Sequence, residues 1–136
     1  MRTPVFLAVF AFASPAAADD IAGTYDVQLK ETASTCDPKP ETLSSTKLAL
    51  TIKKAAVTAK LDKMFPMTGT VKDGTITAKT TKLIGTSMAG LSARYSIGGH
   101  ADAGAVELVL TAQYIRQDTN KPHCSQAWSV TGKKAN

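Results

Sequence analysis

Little in this chain of 136 residues suggests catalysis, redox work or a membrane span. There are two histidines, two cysteines, one tryptophan and 6% aromatic residues. No Cys-x-x-Cys occurs and the histidines do not cluster, which leaves no recognisable zinc or dithiol motif. No apolar stretch after Ala18 is long enough to cross a bilayer. No window of helical length carries a clean 3.6-residue period. With exposed aromatics so few, a stacking surface for nucleic acid is not expected either.

The amino terminus is more distinctive. Arg2 precedes an apolar run from Val5 to Ala13, and Pro15 precedes Ala16-Ala17-Ala18, with Asp19 next. A basic start, a short apolar core and small residues before the cut define a secretory signal with cleavage after Ala18. No cysteine stands at the cut to receive a lipid. The expected product is periplasmic or secreted, comprising residues 19–136, one domain's worth. Loss of Arg2 takes the net charge from +5 to +4. Outside the cytoplasm a lone pair of cysteines most simply forms a disulfide, so Cys36–Cys124 is expected to close a long loop.

The rest of the chain alternates with period two, the signature of strands with one buried face. Tyr25, Val27 and Leu29 share a face, as do Leu48, Leu50 and Ile52, and then Val57, Ala59 and Leu61. Asp73-Gly74 is a two-residue turn of the kind that wants positive φ. It pairs Val71 with Ile76 and Gly69 with Ala78. Leu91, Ala93, Tyr95 and Ile97 form a sixth strand, expected to end at Gly98-Gly99. Val106, Leu108, Leu110, Ala112 and Tyr114 form a seventh. The eighth brings Trp128 and Val130 inward.

Eight antiparallel strands in sequential order can bury their apolar faces as an up-and-down β-barrel or as a two-sheet sandwich. The cysteines favour the barrel. Cys36 follows the first strand and Cys124 opens the eighth, so both stand at one rim, and in a barrel these strands are neighbours. The fold expected is all-β, an eight-stranded antiparallel barrel with a disulfide at the seam between first and last strands. Its upper rim carries the longer links, Glu31 to Ser45, Lys63 to Pro66, Lys82 to Gly90 and Arg116 to His123. Binding concentrates where long loops gather on a rigid scaffold.

Here the chain resembles the calycins, and lipocalins in particular. These are secreted eight-stranded barrels with a large first loop over an open mouth and a Gly-x-Trp at the start of the first strand. The corresponding segment is Gly23-Thr24-Tyr25, with tyrosine where that family has tryptophan. The resemblance implies a barrel interior open to a ligand at the upper mouth.

Inward positions are almost wholly apolar, Thr80 and Gln126 being the main polar exceptions, and no inward Asp, Glu, Lys or Arg is expected. Without placed acids, bases or nucleophiles an enzyme is disfavoured, and no cofactor is implied. Ala59, Gly69, Ala78, Ala93 and Ala112 are small mid-strand residues that could leave room for one small apolar molecule. Its expected lining is Met64, Phe65, Met67, Leu83, Ile84, Met88, Tyr95, Tyr114 and Trp128. The alternative is a protein-binding module, a hydrolase inhibitor or envelope interaction protein, that uses the upper loops. His100 and Asp102 are expected in a solvated lower loop. Met64 and Met67 give a Met-x-x-Met on the upper rim whose spacing could hold Cu(I), and His123 adjoins Cys124, but methionine more often fills gaps and a disulfided Cys124 could not ligate.

Charge is uneven. Residues 19–46 carry two lysines and six acids, whereas residues 47–82 carry eight lysines and two aspartates. Lys47, Lys53, Lys60, Lys72 and Lys79 are expected to point outward as a basic surface. Such a face could meet an anionic envelope surface or an acidic protein, or simply keep the sheet soluble.

Overall fold

Period-two alternation becomes strands wherever it was legible. A computed structural model describes residues 21–62, 64–102 and 104–135. The expected signal segment, its expected cleavage point after Ala18, and Lys63 lie outside these. Among the described residues there are nine strands, all paired antiparallel: β1 Gly23–Ser34, β2 Ser45–Lys53, β3 Ala56–Leu61, β4 Met67–Lys72, β5 Thr75–Lys79, β6 Ile84–Gly85, β7 Leu91–Asp102, β8 Ala105–Arg116 and β9 Pro122–Lys134. Neighbours run β5-β4-β3-β2-β1-β9-β8-β7-β6, and β5 also pairs with β7. The sheet is therefore ring-like. The strand beyond the expected eight is the two-residue β6, which lies on the upper half of β7 through Ile84–Ala93 and Gly85–Ser92.

The apolar alternation points inward. Tyr25, Val27, Leu48, Leu50, Val57, Ala59, Leu61, Met67, Ile76 and Leu110 are all buried, in one contiguous cluster with Trp128, Tyr114 and Val130. The β4–β5 hairpin has the register its turn dictates, Val71 opposite Ile76 and Gly69 opposite Ala78. Asp73 and Gly74 both have positive φ, 53° and 80°, the type I′ geometry that matches strand twist.

Three local readings need correction. Strand β7 does not end at Gly98-Gly99 but runs on to Asp102, pairing Gly98 with Val109 and His100 with Glu107. Gly99 allows this: a Cβ there would lie 2.4 Å from the Glu107 carbonyl oxygen, at a φ of 144°. The glycines mark a close approach between strands rather than a turn. His100 and Asp102 thus belong to a strand, and the lower link is the short one at Gly104.

Strand β1 likewise runs past Glu31 to Ser34. It contains a bulge: Trp128 faces Glu31 while Ala127 faces Ala33, so Thr32 is the extra residue. Thr32 Oγ1 donates to the Ala127 carbonyl at 3.3 Å. A bulge resets which side chains point inward. Glu31 keeps the inward face of Tyr25, Val27 and Leu29, and beyond Thr32 the inward set becomes Ser34 and Cys36. A second irregularity at His123 brings Cys124 level with inward Tyr114. The two cysteines meet as a disulfide, Cα–Cα 5.1 Å.

Candidate functional site

The upper end of the sheet is where strands β1, β3, β5 and β8 finish and β2, β4, β7 and β9 begin. The long link after β1, residues 35–44, folds over this end as a roof. Its ends are bonded to the strands, Thr35 to Ser125 in both directions and the Ser44 carbonyl to Leu29 N–H, and four further contacts hold it. Cys36 is bonded to Cys124 of β9. Lys39 Nζ is 2.5 Å from Glu31 Oε1. The Glu41 carbonyl accepts from Gln126 Nε2 at 3.1 Å. The Pro40 carbonyl accepts from Ser87 Oγ in the link before β7, at 3.4 Å. Pro40 and Cys36 are buried.

Beneath the roof lies a polar cluster built on Gln126, which is only 1% exposed. Its Oε1 accepts from the Tyr114 hydroxyl at 2.7 Å. Its Nε2 donates to Glu31 Oε2 at 2.8 Å and to the Glu41 carbonyl. Both amide protons and the carbonyl are therefore in use, as a buried amide requires. Glu31 is the inward polar side chain that alternation should have found. The period of Tyr25, Val27 and Leu29, carried one step further, places it inward. The expectation of no inward acid fails because the strand was read as ending at Lys30.

The electrostatics separate the two glutamates. Hydrogen bonds from Lys39, and next from Gln126, hold the Glu31 carboxyl below the usual carboxylate range. Burial pushes Glu41 up; no ion pair to it is recorded among the described residues. Burial first, and the nearby Glu41 charge second, push the Tyr95 hydroxyl up to about 12. Tyr114 is raised further, by burial and then by Tyr95, Glu41 and Glu31. Both tyrosines therefore keep their protons at physiological pH. The Tyr114 hydroxyl spends its proton on Gln126.

The other expected lining residues differ in exposure. Met67, Tyr114 and Trp128 are 0–1% exposed, and Ile84 and Tyr95 are also buried. Met64, Leu83 and Met88 are half-buried, and Phe65 is 53% exposed. Met64 borders a hollow of about 260 Å³ with Leu29, Leu43 and Leu61. Met88 borders another, of about 520 Å³, with Arg116, Asp118 and His123. Met67, Ile84, Tyr95, Tyr114 and Trp128 belong to the one core cluster, with Met64 and Met88 packed against it, whereas Phe65 stands apart. Thr80 is buried as expected and is satisfied locally, its hydroxyl bonding the Tyr95 backbone.

His100 and Asp102 border an outer hollow of about 650 Å³ at the lower end, with Asp26, Glu107 and Lys133. Among the described residues no group of three or more His, Cys, Asp or Glu could hold a metal. No described helix is long and apolar enough to cross a membrane. Comparison of the chain with family models, curated proteins and solved structures gives no match.

Proposed function

We propose that the chain is an exported, non-catalytic barrel whose upper loops present a pre-organised surface to another protein. The barrel reading treats β6 as an appendage and the other eight strands as the wall. Its support is the double pairing of β5 with β4 and β7, together with that of β1 with β2 and β9. The signal at residues 1–18 supports export to the periplasm or beyond.

The roof is the observation that carries the binding reading. Residues 35–44 are tied by a disulfide, an ion pair and several hydrogen bonds, over an interior where Tyr25, Tyr114 and Trp128 are 0–1% exposed. A carrier of a small apolar molecule needs an empty, accessible interior. A recognition loop needs its conformational entropy removed before binding, and the roof supplies that. The tyrosines, raised by burial, support the non-catalytic reading, since neither supplies a base under the roof.

Placing a photo-crosslinking residue at Thr42, with a control at Thr131 on the lower outer wall, tests the reading in extracts of the cell envelope. Discrete adducts at position 42 alone, lost when Cys36 and Cys124 are both replaced by serine, are expected. Native mass spectrometry with a fatty acid and a hydrophobic dye provides the contrary arm. Stoichiometric uptake of either would return the interior to a carrier role.

A further inference from the structure

The roof leaves one feature of the same end unused: an exposed aromatic set in a basic wall. Phe65 is 53% exposed in the link between β3 and β4, and Pro66 beside it is exposed too. Ala59 pairs with Met67, so Lys60 stands level with Pro66. Lys79 ends β5 and pairs with Thr68, one residue along from Met67. Both lysines are fully outward and exposed. Neither makes an ion pair among the described residues, where the pairs are Lys39–Glu31, Lys47–Asp26 and Arg116–Asp118.

The same wall carries Lys53 and Lys72 outward at its lower half. Between the lysines lie threonines, Thr51, Thr58, Thr68, Thr70, Thr75 and Thr77. The opposite wall, from β1, β9, β8 and β7, mixes signs: Asp26, Lys30, Lys133, Glu107, Arg94 and Asp102. The basic wall carries acids only at its turns, Asp62 and Asp73, so its strands are biased to positive charge where the opposite wall is mixed.

We propose that the β3–β4 tip is a docking surface for an anionic lipid bilayer, with Phe65 entering the headgroup layer and Lys60 and Lys79 against lipid phosphates. Charge complementarity selects the occupant. Lysine is a compact charge that suits a diffuse array of phosphates, and each one near such a surface is worth roughly five-fold in partitioning. Phe65 and Val109 are the exposed large apolar residues among those described. The tip thus carries a single anchor rather than an apolar patch, the pattern of reversible attachment by one apolar group and a few cations. The tip adjoins the roof through the hollow that Leu43 and Met64 share, but the lipid reading does not depend on the protein-binding one.

Sedimentation with vesicles tests it, using the mature chain and no other protein. We expect co-sedimentation with phosphatidylcholine containing about one third phosphatidylglycerol, weakening steeply as salt shortens the Debye length. Pure phosphatidylcholine should retain little. F65A should lower the partition constant at least about fivefold, and K60E/K79E at least about tenfold. R94E/K133E, an equal charge change on the other wall, should stay within about threefold. Unfolding midpoints check that each variant is folded, with K60Q/K79Q in reserve. Three outcomes overturn the proposal: no binding to the anionic vesicles, equal losses from the two charge-reversal pairs, or binding that F65A leaves untouched. Capture of dextran sulfate in place of vesicles would reassign the wall to a soluble polyanion and overturn the lipid reading equally.

Discussion

Gln126 shows how much one side chain decides in this protein. Its amide joins Tyr114 of β8, Glu31 of β1 and the Glu41 carbonyl of the roof, all within hydrogen-bond distance. Replacing it with leucine fills the volume and leaves a buried hydroxyl and a carboxylate short of partners. That costs about 2–3 kcal/mol, whereas Tyr114→Phe, which removes one donor and leaves Gln126 its other bonds, costs about 1 kcal/mol. Urea titration of both variants and the double mutant measures the coupling. The two glutamates respond to pH in opposite senses. Glu31 has a lowered pKa, so its stabilisation is present above the ordinary carboxylate value and lost as pH falls through the lowered one. Glu41 has a raised pKa, so its ionisation costs stability as pH rises from the ordinary value through the raised one. Glu41→Gln should therefore raise the melting temperature at pH 7 and leave it unchanged well below about pH 4. A thermal scan across that range reads both. Thr80 and Gln126 were legible in the sequence as inward polar residues because they share parity with apolar neighbours. Glu31 shared it too, and was obscured only by where the strand was taken to stop.

Among the elements, hairpins that carry their own turn chemistry were readable and irregular strands were not. Asp73-Gly74 fixes the β4–β5 register by itself, because only one pairing satisfies a two-residue turn with both φ values positive. The bulge at Thr32 and the slip at His123 have no such local mark. They follow from closing β1 against β9 while both cysteines face inward. Gly98-Gly99 misled for a related reason, since glycine serves a turn and a close strand approach equally well. Gly99→Ala distinguishes the two uses. In a loop it would be nearly neutral. In β7 it sets a methyl 2.4 Å from the Glu107 oxygen at a φ hostile to alanine, and should cost at least about 2 kcal/mol. Denaturant unfolding gives the value, and amide exchange at Leu108 and His100 shows whether the β7–β8 ladder opens locally.

At the scale of the molecule, strand order came from the alternation and its closure from the cysteines. How full the interior is did not, because parity says which side chains point inward and not whether they leave a hole. Tyr25 and Trp128, at 0% and 1% exposure, are the bulky side chains that support a filled one. The Cys36–Cys124 bond spans a sequence separation of 88, so in the chain-entropy model it is worth about 4–5 kcal/mol, less any native-state cost. A domain of this size has a total stability of about 5–15 kcal/mol. The double serine variant should accordingly keep its fold at 25 °C and unfold at a much lower denaturant concentration. Its losses should be uneven. The disulfide joins the roof to β9, while the interior rests on strand ladders that do not pass through it. Hydrogen exchange should therefore quicken most at residues 35–44 and at the upper end of β9, with Tyr25, Leu50 and Leu110 close to wild type relative to the new global limit. Uniform acceleration across all strands would mean that the bond, rather than side-chain burial, holds the sheet in its ring.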